Sequence, residues 1–166
     1  MSCLGVHFAL TEVQVSKLRA TEDESKRLEY VQGIEEEFLS GDKLHAAESD
    51  KSWDALHRLM SDGSLDWDGG QYPLNHVVLA GELLCTGDDY IMSLKTPEQV
   101  DDIADALGGI DSDEFRSRYY RIDADDYDAD LSDDDLEYTW SWFNGIRDLY
   151  SRAAEEGRYV LFTADQ

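Results

Sequence analysis

Between residues 132 and 157 the apolar side chains Leu136, Trp140, Phe143, Ile146 and Tyr150 recur at i, i+4, i+7 spacing, the period of one stripe along an α-helix. A long helix therefore opens near Ser132 and reaches Gly157, and its stripe has to be buried against another layer. Trp140 belongs to that stripe. Trp142 sits about 200° around the helix from it and faces something else, a further layer or a partner; packing on two sides is the simpler account.

Helix signals recur elsewhere along the chain. Thr96-Pro97-Glu98-Gln99 combines an N-cap, a proline at the first helical position and a capping-box glutamine, and Gly108-Gly109 closes that helix. Asp111 with Glu114 opens another, carrying Phe115, Tyr119 and Ile122. Toward the N-terminus, Thr11 with Gln14 and Thr21 with Glu24 show capping-box spacing. They predict a short helix and then a longer one ending near Gly41, in which Leu28, Val31, Ile34 and Phe38 face inward and Glu35, Glu36 and Glu37 cover the wet side. Residues 51–61 form a third helix with Trp53, Leu56, His57 and Met60 on one stripe, stopping at Asp62-Gly63.

Strand signals fill the remainder. In residues 4–10, Leu4, Val6, Phe8 and Leu10 point one way while Gly5, His7 and Ala9 point the other. The apolar run over residues 75–84 and "YIMSL" from Tyr90 read as two strands across the turn signal Thr86-Gly87-Asp88-Asp89, and "RYVLFTADQ" as a last one. The order is strand, three helices, two strands, three helices, strand. Connections of this length favour crossovers, so the expected fold class is α/β: a small mixed β-sheet of about four strands with helices on both faces, in one domain over residues 1–166.

Charge narrows the function. Thirty-eight acidic residues against 14 basic ones leave a net charge of -24, a field that repels phosphate backbones and anionic membranes; neither nucleic acid nor membrane is an expected partner. The N-terminus has no basic region leading into an apolar segment, and no run approaches the length of a bilayer span, so a soluble cytoplasmic protein is expected. Cys3 and Cys85 stand apart in apolar surroundings with no CxxC, which fits buried free thiols in a reducing compartment better than a disulfide.

Five segments in order, "MSCLGVHFAL", "WDALHRLMSDG", "YPLNHVVLAGE", "YIMSLKTPEQV" and "EYTWSWFNGIRDLYSRAAEEGRYVLFTADQ", together resemble the YfbM-like family of uncharacterised bacterial proteins (domain of unknown function 1877) nearly end to end. The resemblance implies a mixed α/β domain with a layered helix-sheet-helix arrangement and no established activity. It carries no catalytic residues across. The aspartate-heavy segment before the long helix is where this chain departs from the family.

Four groups of residues are candidates for a site. Asn75 and His76, at the mouth of the apolar run, either bond neighbouring backbone and fix the turn at Tyr72-Pro73, or point into a cleft with His7 and Glu82 as companions, where a neutral histidine beside a carboxylate is a workable general base. No nucleophile motif, glycine-rich phosphate loop or His-x-x-x-His accompanies them, and no cofactor is expected. His57 reads as a core or interface histidine, and His45 as exposed in a polar connection. Trp67 and Tyr72, in a glycine-rich turn, are candidates for a partner-binding rim. Counted from Asp126, the carboxylates Asp126, Asp128, Asp130, Asp134 and Glu137 fall at calcium-loop positions, but Leu131 stands where such a loop needs glycine, which favours a solvated acidic loop over a metal site.

Three functional classes remain open. One is a non-catalytic binding or inhibitor protein that presents an acidic surface to a basic protein partner. Another is a small hydrolase- or transferase-like enzyme with a cleft near His7, Asn75 and His76. In the third, the acidity describes the source: five lysines against nine arginines with abundant aspartate suit a high-GC or salt-tolerant cell.

Overall fold

The computed structural model describes residues 4–85 and 89–165. Five strands, β1 (Gly5–Leu10), β2 (Ala46–Asp50), β3 (Glu82–Leu83), β4 (Tyr90–Lys95) and β5 (Tyr159–Asp165), form one sheet in the order β2-β1-β5-β4-β3. The fold class is the expected α/β arrangement, with one strand more than the sequence indicates and every pairing antiparallel. Among the described residues six α-helices accompany the sheet: α1 (Glu12–Ala20), α2 (Glu24–Ser40), α3 (Trp53–Met60), α4 (Pro97–Gly108), α5 (Ser112–Tyr119) and α6 (Asp133–Glu156).

The alternation in β1 divides the protein into two layers. Val6, Phe8 and Leu10 join Val15, Leu18, Val31, Ile34 and Phe38 in a core under α1 and α2. Ala9, Val160, Phe162 and Ala164 pack instead with the apolar faces of α3, α4, α5 and α6. Here the stripe of α6 is buried at Leu136, Phe143, Ile146 and Tyr150, while Trp140 is half-buried with its ring against Phe115 and Phe143. Both layers are of the kind that removes apolar area from water, the main favourable term in folding.

The capping chemistry holds at Thr11 and Thr96, where the threonine side chain accepts from the third backbone N–H and the glutamine returns the bond. At α2 the cap differs from expectation. Asp23 accepts from the Lys26 N–H, and the Thr21 hydroxyl instead donates to the Lys17 carbonyl. An aspartate placed two residues further on wins because its charge also favours the positive end of the helix.

Two segments depart further from the sequence-based expectation. Strand β2, "AAESD", reads in the sequence as part of a polar connection; its alanines, serine and acids lack β-propensity, and it is held at the sheet edge by pairing with β1. Buried Ser49 adds a bond to the Gly5 carbonyl, and Gly5 is required there because a Cβ would come within 2.6 Å of Ser49 Oγ and 2.8 Å of Trp53. Conversely, residues 75–84 are not one strand. Leu74–His76 is a 3-10 turn, further turns follow, and only Glu82–Leu83 pairs with β4. Among the described residues no helix is long and apolar enough to cross a membrane.

Candidate functional site

Because residues 77–80 are buried without being a strand, their carbonyls have no sheet partner and must be satisfied in another way. Side chains from the sheet and from α6 do this. His7 Nε2 donates to the Val77 carbonyl at 2.8 Å, and the Tyr150 hydroxyl donates to the same oxygen at 2.7 Å. Lys95 Nζ donates to the Val78 carbonyl, and Ser93 Oγ to the Leu79 carbonyl at 2.7 Å. The sheet register lines these donors up: His7 and Ser93 flank Phe162 on β5, and Lys95 lies opposite Val160.

The cost falls on ionisation. His7 and Lys95 are fully buried. Burial, followed by the neighbouring Lys95, pushes the His7 imidazole down to about 3, against a smaller upward pull from the Val77 carbonyl. Burial likewise holds the Lys95 amine well below the ordinary lysine value. The His7 ring packs against Phe162 and Tyr150, and its Nδ1 has no hydrogen-bond partner among the described residues. His57 repeats the pattern: Nε2 donates to the Asp66 carbonyl at 2.6 Å, and burial lowers its pKa.

The sequence candidates separate accordingly. His76 Nδ1 bonds Asn75 Oδ1 at 2.8 Å, and Asn75 Nδ2 reaches the Asp68 carbonyl at 3.4 Å, so this pair ties the loop to itself. Glu82 is exposed and forms an ion pair with Arg19 at 2.7 Å. Trp67 is half-buried against the larger core. Tyr72 is exposed, donates to Asp102 at 2.6 Å and rests edge-on against His76; its phenol is pushed up to about 12, chiefly by that carboxylate bond. His45 is not exposed as expected: at the end of the 3-10 turn that leads into β2, its imidazole bridges Asp42 and Glu156, each at 2.7 Å. Cys85 is a free thiol, half-buried rather than buried, and Cys3 lies outside the described residues.

In the acidic segment, Asp126 pairs with Arg58 at 2.7 Å, Asp128 borders a cleft described below, and Asp130, Asp134 and Glu137 are exposed or at the surface of the helix start. Among the described residues no group of three or more His, Cys, Asp or Glu side chains is placed to hold a metal ion.

A different place gathers charge. At one end of the sheet, beside β1, β2 and β5, a cavity of about 310 Å³ is lined by Glu35, Glu48, Asp50, Asp165, Tyr90 and Trp142, with Leu4, Gly5, Val6 and Leu39 as its apolar floor. No Lys, Arg or His is among these lining residues. Glu35 is held by two donors, the Tyr90 hydroxyl and Thr163 Oγ1, the latter at 2.7 Å. Burial and that carboxylate together raise the Tyr90 pKa, so the phenol stays protonated and keeps donating. Asp50, in a left-handed backbone conformation with φ of 47°, accepts from the Tyr138 hydroxyl at 2.6 Å. Trp142 is the α6 residue that lies off the core stripe, and this cavity is what it faces.

Across Tyr138 lies a second cleft of about 620 Å³, lined by Trp53, Leu65, Tyr127, Ala129 and Tyr138, with Asp54, Asp128, Asp135 and Lys51 around it. The two spaces are neighbours: Asp50 borders one while Lys51 and Ser52 border the other, and Tyr138 of the second bonds Asp50 and meets the Trp142 ring of the first edge-on at 6.4 Å. Sequence patterning places Glu35 on the wet side of α2, Leu4, Gly5, Val6 and Tyr90 in strands and Trp142 off the core stripe of α6, but it does not join them in one site. The four carboxylates are spread from residue 35 to residue 165, and nothing short of the tertiary fold groups them.

A family model described as Domain of unknown function (DUF1877) matches residues 1–163. Among solved structures the chain is similar to a protein of unknown function, YfbM from Escherichia coli, at 21% sequence identity and a TM-score of 0.64, covering 97% of this chain and 99% of that one. At such identity the likeness is one of fold. No curated protein matches the chain.

Proposed function

The chain belongs to the DUF1877 family, whose description carries no activity, and from that premise we propose a binding role: the protein receives a cationic side chain of a basic protein partner in the cavity at the sheet end. The observation that carries this reading is the lining itself, four carboxylates and two aromatic rings with no basic residue among them. A lysine ammonium or arginine guanidinium entering there meets opposite charge on several sides and the ring faces of Trp142 and Tyr90, both of which attract cations. The net charge of -24 adds long-range steering of any basic partner toward the surface.

The enzymatic alternative near His7, Asn75 and His76 draws less support. Its histidine base is buried with Nε2 committed to backbone, and none of the three residues lines either of the two cavities described above.

Steering and site binding are separable by charge-matched variants. In one, Glu48→Gln, Asp50→Asn and Asp165→Asn remove three of the cavity's four carboxylate charges and leave Glu35; in the other, Glu98→Gln, Asp101→Asn and Asp105→Asn remove the same charge from α4, where none of the three lines the cavity. Titration with a short peptide carrying one arginine, followed by NMR at about 0.15 M salt where the screening length is about 8 Å, is expected to show about a tenfold loss for the first variant and less than about twofold for the second. Equal losses would mean that net charge alone attracts the peptide, and the reading would fall.

A further inference from the structure

The second cleft differs from the cavity in what its polar groups are free to do. Asp135 already accepts from the Tyr127 hydroxyl at 2.9 Å and from the Tyr119 hydroxyl at 2.6 Å, while Asp54 is paired with the Arg58 guanidinium. Asp128 and Lys51, of opposite sign, remain at the rim. The surface left for an occupant is mostly carbon, from Trp53, Leu65, Tyr127, Ala129 and Tyr138, and only the rim is charged.

Its aromatic walls are also fixed before anything binds. Tyr138 is pinned by Asp50; Tyr127 is pinned by Asp135 and carries the Arg58 guanidinium over its ring at 5.5 Å. Burial and the carboxylate bonds raise both phenol pKa values, so the pins persist at neutral pH. Rings that do not have to be ordered on binding lose less conformational entropy.

Resting on the reading above, we infer that the partner segment carries an aromatic or long aliphatic side chain close in sequence to its cationic one, and that this apolar group occupies the cleft between Trp53, Leu65, Tyr127 and Tyr138 while the cation occupies the cavity beyond Tyr138. The occupant is thus a basic, partly apolar peptide segment of another protein. Charge complementarity selects its cation; the direct contacts of Tyr138 with Asp50 and Trp142 set the short spacing between the two groups. Because Asp50 grips the phenol of Tyr138, the two spaces are shaped together.

Two peptides of equal charge separate this inference from the one it rests on. One holds a single arginine among glycines; the other adds a tryptophan one, two or three residues away. Net attraction by the acidic surface is the same for both. At about 0.15 M salt the best-spaced tryptophan peptide is expected to bind about tenfold tighter, as burial of part of an aromatic side chain provides, with amide shift changes at Leu65, Tyr127 and Ala129 added to those at Asp50 and Asp165. Ala129→Trp, made at an exposed position so that the fold survives, fills the cleft. It is expected to erase the tenfold gain and leave arginine-peptide binding unchanged. Equal affinity of the two peptides for the unaltered protein would overturn the inference and leave the cation reading standing, whereas failure of both to bind would overturn both. A gain that persists in Ala129→Trp would place the apolar group elsewhere and also overturn it.

Discussion

The buried layer beneath residues 74–81 and the cavity at the sheet end are both dense in ionisable side chains, yet they handle charge in opposite ways. His7 and Lys95 beneath the loop, and His57 on α3, are bases whose charged forms burial disfavours, and each donates to a backbone carbonyl, of Val77, Val78 and Asp66 respectively for His7, Lys95 and His57. In the cavity the groups are acids bordered by open space: Tyr90 and Thr163 donate to Glu35, Tyr138 donates to Asp50, and the described lining residues include no base. The difference teaches where to look for binding. Polar groups whose bonding capacity is met by the chain's own backbone stabilise the chain; those left facing solvent at high charge density are available to a second molecule.

The comparison breaks most visibly if the buried layer turns out to be dispensable. Lys95→Ala removes the donor to Val78 and a long aliphatic stem from the core, and is expected to cost about 4 kcal/mol in urea unfolding, combining an unsatisfied carbonyl with a cavity. A loss below about 1 kcal/mol would mean that the loop does not depend on it.

A smaller effect tests whether the bases are held neutral. The folded-state pKa of His7 is about 3, below the unfolded value near 6.5, so between these limits the unfolded chain binds the extra proton. Its contribution is therefore present above about pH 6.5 and declines as pH falls toward 3. From pH 6.5 to pH 5, before most carboxylates titrate, the slope from this one group is at most about 1.4 kcal/mol per pH unit, and His57 acts in the same direction. Unfolding series at several pH values are expected to show His7→Phe with the shallower dependence. An unchanged slope would mean that His7 titrates normally.

The smallest effect sharpens the contrast from the other side. Glu48→Gln, at an exposed cavity residue, is expected to change stability by less than about 0.5 kcal/mol in either direction, read by thermal unfolding. A loss above 1 kcal/mol would show that this cavity acid supports the fold rather than awaiting a ligand.

Periodicity made most of the helices legible. Thr96-Pro97-Glu98-Gln99 opens α4 as written in the sequence, and Leu136, Phe143, Ile146 and Tyr150 are buried along α6 as their spacing requires. Residues 75–84 and β2 depart from the sequence expectation for one reason. An apolar run such as residues 75–84 is compatible with several buried conformations, and a polar run such as β2 is compatible with an edge strand; what decides is where the hydrogen bonds of the backbone can be met. Distant side chains meet them at the loop, and β1 meets them at β2. Similarly, His7 was legible as a residue on the small-side-chain face of β1, but its bond to Val77, 70 positions away, was not.

By itself the sequence determined the two-sided character of β1, the capped helices, the family and the large negative charge, because each of these depends on local spacing, matched segments or a simple count of residues. Tertiary structure alone decided which carboxylates share a cavity and which bases are silenced beneath the loop. Electrostatic environment depends on distance and on access to water, and the residues concerned, from Glu35 to Asp165, are brought near one another only when the sheet closes.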